Sequence, residues 1–205
     1  MLRVVLPKTA KGDRTRTSLI EKATIRFARD GFNQTNLSDI ARDVGIKPAS
    51  IYAYFEDKHD LFLSALNVDN ASLFDKIDEV ILDDFSQDWN LSFEKILNLV
   101  ELHPLTKRVL VGGEEMASAR LEVLPAETVL IEKLVAKIKS GQMCKIIRSD
   151  IDPELIVDGI VTIFTSLLIA ALQSGGSGEF QSRIPGVVAV FEASLFPLKS
   201  GGLSE

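Results

Sequence analysis

Between Lys47 and His59 the chain reads KPASIYAYFEDKH, a run rich in groups that bind and poor in groups that react. Lys47 and Lys58 carry cations that can neutralise phosphates on either side of a duplex. Ala49 and Ser50 are small enough for a backbone to approach base edges. Tyr52 and Tyr54 each combine a hydroxyl, suited to a phosphate, with an apolar ring, suited to a thymine methyl. His59 adds a further donor. This is the chemistry of reversible recognition of a nucleic acid, in which no covalent bond is made or broken.

The groups needed for covalent chemistry are missing from the rest of the chain as well. Only two histidines occur, His59 and His103, and one cysteine, Cys144. That excludes an intrachain disulfide and a cysteine-cluster metal site. There is no glycine-rich phosphate loop and no Gly-x-Ser-x-Gly elbow. Asp83–Asp84 and Glu114–Glu115 are adjacent carboxylates, but neighbours on a helix point in different directions. No enzyme, metal or cofactor is expected.

The reading groups need rigid supports, and the surrounding residues supply them as helices. Asp13 opens a first helix over Arg14–Arg29, with Leu19, Ala23 and Phe27 four residues apart on one face. Gly31 suits a left-handed stop. Thr35 or Asn36 starts a second helix, in which Leu37, Ile40, Ala41 and Val44 share a face. Gly45 turns the chain and Ile46 plugs the gap. Pro48 then fits the first turn of a third helix, PASIYAYF, because its missing N–H would have no partner there. Ile51 and Phe55 point inward and leave Ala49, Ser50, Tyr52 and Tyr54 outside. About eight residues at roughly 1.5 Å each make about 12 Å, the width of the B-DNA major groove.

The segment IEKATIRFARDGFNQTNLSDIARDVGIKPASIYAYFEDKHDL resembles the DNA-binding domain of the TetR family of transcriptional repressors. The Ala-x3-Phe of the first helix, the Gly–aromatic pair, the Thr before helix two, the Ile-Ala…Gly turn and the Tyr-x-Tyr-Phe carry the likeness. The resemblance implies an operator-facing set of Thr35, Lys47, Pro48, Ala49, Ser50, Tyr52, Tyr54, Lys58 and His59. Lys47 stands where the family usually has Ser or Thr, and His59 where Glu is common.

Beyond Leu61 the chain reads as helices with short loops, giving an all-α protein of about nine helices. Residues 1–60 would form the DNA-binding domain and 61–205 a ligand-binding and dimerisation domain. A long helix runs from Leu61 to Phe85. Ser92 caps the next, Gly112–Gly113 interrupts another, and Pro125 opens one that Gly141 ends. Asp152–Pro153 starts a nearly all-apolar helix to Gln173, expected to be buried on all sides. Its apolar core, Gly159–Leu172, is shorter than the roughly 20 residues of a membrane span. Pro185 opens the last helix.

The family resemblance implies a homodimer formed by the last two helices, here through Leu167, Leu168, Ala171, Val188, Phe191 and Leu195. Two readers about 34–36 Å apart would then meet successive faces of a palindrome. It also implies a small-molecule effector in a pocket for which Phe85, Trp89, Phe93, His103, Met116 and Phe164 are candidates, each also a plausible core residue. The effector would release the operator by shifting the population of binding-competent dimers.

Composition fits this picture. Hydrophobic residues make up 46% of the 205, and mean hydropathy is +0.16, greasy enough to leave apolar surface for a partner chain. The total charge of −6 hides a contrast: residues 1–60 hold 11 Lys and Arg against 8 Asp and Glu, the remainder 12 against 21. No targeting segment or membrane span is expected, which points to the cytoplasm. The competing class is a helical protein-interaction adaptor that reuses this fold without reading DNA.

Overall fold

The computed structural model describes residues 10–81, 89–112, 124–174 and 182–196. Among them are nine helices and no strand: α1 (Ala10–Gln34), α2 (Leu37–Val44), the 3-10 helix α3 (Pro48–Ala53), α4 (Lys58–Ile81), α5 (Trp89–Glu101), α6 (Pro104–Val111), α7 (Pro125–Met143), α8 (Pro153–Gln173) and α9 (Ile184–Leu195). The all-α class expected from the sequence is observed. The chain packs as two compact units, Met1–Asp75 with Leu99–Glu127, and Lys76–Asn98 with Thr128–Glu205; α4, α5 and α7 each contribute to both.

In the first unit the stripe Leu19, Ala23 and Phe27 is fully buried, and Ile40, Ile51, Phe55, Leu61 and Phe62 close over it. Phe62 stands edge-on to Phe27 at 5.1 Å and to Phe32 at 5.2 Å. Gly31 breaks the regular helix with φ 81 and ψ 172, as its left-handed tolerance predicts. Beyond it the Thr35 hydroxyl donates to the Gly31 carbonyl at 2.7 Å and is itself buried. Asn36 caps α2 by accepting from the Ser38 N–H. Gly45 ends α2 at φ 78, and the Gly45 and Ile46 N–H groups return to the Arg42 and Ala41 carbonyls. That pair of bonds satisfies the last orphan carbonyls of the helix.

Two helices that begin in this unit have their N-termini held by side chains of α4. Asp69 accepts from the Thr106 N–H at 2.9 Å, in the first turn of α6. Asn67 accepts from the Ala126 N–H at 3.0 Å, in the first turn of α7. Both helices start on proline, so neither first residue contributes a donor. Farther along α6, Arg108 donates to the Ala28 and Arg29 carbonyls of α1.

In the second unit Phe164 of α8 meets Phe93 at 6.1 Å and Phe191 of α9 at 5.7 Å. Arg148, in the loop after α7, donates through its N–H to the Leu195 carbonyl and pairs bidentately with Asp150. The arginine holds the Asp150 carboxyl down at about 2. Glu154, also lowered to about 2, accepts from Lys139 across to α7.

Four local expectations change. The third helix is 3-10 rather than α and stops at Ala53. Ser92 caps nothing: it lies buried inside α5, which begins at Trp89. Gly141 does not end α7 but lies buried within it; its carbonyl receives the Ile146 and Ile147 N–H groups after a turn through Lys145 at φ 61. Finally, α8 is not buried all round. Ile156, Val157, Ile160, Phe164, Leu168 and Ala171 face the core, whereas Leu155 is 64% exposed. By length and composition α8 could cross a membrane; in this fold its inward stripe packs against α5 and α9.

Candidate DNA-reading surface

The reading surface is built around α3. Ile51 and Phe55 are locked into the core at 1% and 2% exposure, which fixes the rotation of the short helix about its axis. Six residues at about 2.0 Å each still span roughly 12 Å. With those two anchors inward, Lys47, Pro48, Ala49 and Ser50 stand exposed together, and Tyr52 is 62% exposed. The Ser50 N–H donates to the Lys47 carbonyl and ties the entry of α3. Tyr54 is half-buried against the core cluster, so less of its ring is free than that of Tyr52.

Three residues of the expected operator-facing set have internal tasks. Thr35 is spent on the Gly31 carbonyl. Lys58 lies 4.7 Å above the Phe32 ring, and its ammonium donates to the Asn33 carbonyl at 3.2 Å. Burial pushes its pKa down. His59 is half-buried, edge-on to Phe32 at 6.1 Å. Lys58 and His59 thus brace the start of α4 against the end of α1.

A charge network that sequence reading missed holds α2 in place. Arg26 of α1 donates to both oxygens of Asp43, at 2.6 and 3.0 Å, and lies 4.0 Å from Asp39. Those bonds raise the arginine pKa and lower that of Asp43. The partners are 17 residues apart, and no local periodicity marks them.

The effector candidates divide. Phe85 and Met116 lie outside the described residues, and of Trp89 only the backbone, at the start of α5, is described. Phe93 and Phe164 touch each other in the second unit. His103 belongs to the first unit, 5% exposed, with Nδ1 3.1 Å from Asp69 and Nε2 buried without a partner. Of the dimer candidates, Leu168, Ala171, Val188, Phe191 and Leu195 are buried within the chain's own fold and Leu167 is half-buried. Among the described residues no group of three or more His, Cys, Asp or Glu could hold a metal ion.

Residues 19–65 match the family model of bacterial regulatory proteins of the tetR family. Over 53 residues, 26% of this chain and 24% of the other, the sequence is 42% identical to a probable acrEF/envCD operon repressor of Escherichia coli K12. The match thus spans about a quarter of that curated relative. The fold extends much further. A TetR-family transcriptional regulator from Pectobacterium atrosepticum superposes with a TM-score of 0.72 at 15% identity, over 93% of this chain and 99% of that one. NalD, the secondary repressor of a multidrug efflux pump in Pseudomonas aeruginosa, gives 0.58 at 16% identity, over 92% and 99%. The helix-turn-helix at residues 37–53 thus lies inside a segment that matches the tetR family of bacterial regulatory proteins, and the all-helical fold is shared along nearly the whole chain with solved structures described as TetR-family regulators.

Proposed function

We propose that this protein is a transcriptional repressor that binds a palindromic operator as a homodimer and leaves it when a small molecule binds. Residues 1–60 read DNA in this scheme, and residues 61–205 dimerise and sense the effector. The observation that carries the reading is the sorting of residues in and around α3: Ile51 within it and Phe55 just beyond it are anchored in the core, while Lys47, Ala49, Ser50 and Tyr52 are left facing solvent. A helix held so rigidly, with small and hydrogen-bonding residues outward, suits insertion into a major groove.

Support for a dimer comes from the apolar surface that one chain leaves uncovered on α8 and α9. Val190 is 72% exposed and Leu155 64%, and Leu167 is half-buried. In the dimer, Leu167 and Val190 would meet the partner directly. Leu168, Ala171, Val188, Phe191 and Leu195 would back that surface from within the chain. Repression rather than activation is inferred by analogy with the Escherichia coli relative, a probable operon repressor. Selection of genomic fragments on the full chain, followed by anisotropy titration, tests the reading. A two-fold symmetric site should emerge, with affinity that falls steeply as salt rises. Selection of no sequence above background would overturn it.

A further inference from the structure

The described cations of the first 60 residues fall into two groups that the sequence does not distinguish. Arg26 is held by Asp43, Arg29 by Asp30 at 2.6 Å, Arg42 by Asp39 at 2.8 Å, and Lys58 by the Asn33 carbonyl. Lys11, Arg14, Arg16, Lys22 and Lys47 make no ion pair within 4.0 Å among the described residues, although Lys22 lies near enough to Asp43 to help lower its pKa. Three of these five lie in the first two turns of α1, Lys22 follows farther along that helix, and Lys47 opens α3.

Arg16 connects the two places. Its guanidinium carbon lies 5.0 Å from the centre of the Phe55 ring, and its Nε is buried without a hydrogen-bond partner. Phe55 lies two residues past the end of α3, so the start of α1 runs beside the C-terminal end of the reading helix. A guanidinium resting on an aromatic ring gains cation–π stabilisation and loses conformational freedom. Its planar fork matches a phosphate better than a lysine ammonium does. Lys11 and Arg14, three residues apart, share one face of α1, while Arg16 lies on the side turned towards Phe55, so the three cations surround the first turns of the helix. The neighbouring acids are few: Asp13 on α1 is exposed, and Asp57 and Asp60 are engaged with the Asp60 and Glu56 N–H groups.

We infer that the first two turns of α1 form a phosphate clamp beside α3, with Arg16 as its fixed point and Lys11 and Arg14 as flanking cations. This rests on the DNA-binding reading above and deepens it by dividing the labour. α3 sets which sequence is bound, and the start of α1 sets how strongly any duplex backbone is held. Base discrimination and salt dependence are therefore carried by different residues.

The test uses the full chain and the duplex obtained by selection on the unsubstituted protein. Each neutralised phosphate contact changes the slope of log affinity against log salt by about 0.9. Because the dimer carries each substitution twice, R16Q should lower the slope by about 1.8, and the triple variant K11Q/R14Q/R16Q by up to about 5.4. The ranking of operator variants with single base changes should stay as in the parent protein. R16K, which keeps the charge, should restore most of the slope. K76Q, an exposed cation far along α4, should leave it unchanged. If R16Q fails to fold, as judged by its melting curve, K11Q/R14Q alone carries the test, with an expected loss of up to about 3.6 in slope for the dimer. An unaltered slope in these variants, or an altered base ranking, would overturn the clamp while leaving operator binding intact. Failure of the parent protein to select any duplex would instead defeat the DNA-binding reading itself.

Discussion

Replacing Asp69 with alanine removes one buried acceptor that three donors share. The carboxylate accepts from the Thr106 N–H at 2.9 Å and the Thr106 hydroxyl at 2.8 Å, and His103 Nδ1 lies 3.1 Å from its other oxygen. Its side chain is only 10% exposed, so water does not readily substitute. The threonine hydroxyl keeps an alternative acceptor in Asn70 at 2.8 Å. Two groups are therefore orphaned: the Thr106 N–H and His103 Nδ1. At about 1–3 kcal/mol each, the loss should be roughly 2–6 kcal/mol. D69N should cost far less, about 1 kcal/mol, because its amide oxygen can keep the Thr106 bonds and its NH₂ stays beside His103 Nδ1. Amide hydrogen exchange along α6 reads this locally, with α8 amides as an internal reference. The reasoning fails if D69A lowers α6 protection by under about 1 kcal/mol, or if D69N is as damaging as D69A.

Other outcomes follow from the same structure. F27A removes the fully buried centre of the aromatic cluster and should cost about 3–5 kcal/mol in urea unfolding; under about 1 would mean the site collapses freely. G45A meets no atom within 4 Å but must hold φ near 78, so the backbone alone should cost about 1–2 kcal/mol. Y52A should weaken operator binding and leave the melting temperature and dimer intact; a lost dimer would show that the reading surface lies elsewhere. Because Asp150 titrates near 2, below its usual 3.8, its pair with Arg148 contributes above pH 3.8 and is lost as pH falls towards 2. In R148Q a carbon-detected titration should find Asp150 back near 3.8; a value still near 2 would assign the shift to another cause.

Much of the reading unit was legible because its determinants are local. The Leu19–Ala23–Phe27 stripe, the Asn36 cap and the Gly31 and Gly45 stops each depend on neighbours within five residues. The end of α7 was less legible, since its terminating carbonyl belongs to a buried Gly141 that receives N–H groups from five and six residues later. What escaped entirely is the pairing of distant side chains. Lys58 carries the same charge as Lys47, yet an aromatic ring and a carbonyl 25 residues away draw it inward. Arg26 and Asp43 are alike invisible to periodicity. For α8, composition marks an apolar helix but not which face its own chain covers. In the candidate effector set, Phe93 and Phe164 pack on each other, a contact between α5 and α8 that spacing along the chain does not reveal.

The two caps that α4 lends to α6 and α7 have a mechanical consequence. Asn67 and Asp69 lie two residues apart, and each sits within about 3 Å of the N–H it holds. Sliding α4 along its axis by a single residue, about 1.5 Å, would carry both bonds towards or past the distance at which a hydrogen bond ceases to count. Both first turns would then be released together. The helix is thus indexed like a bolt seated in two sockets: small displacements meet a restoring force, and larger ones unseat both neighbours at once. Its motion should accordingly come in steps, with few intermediate positions populated.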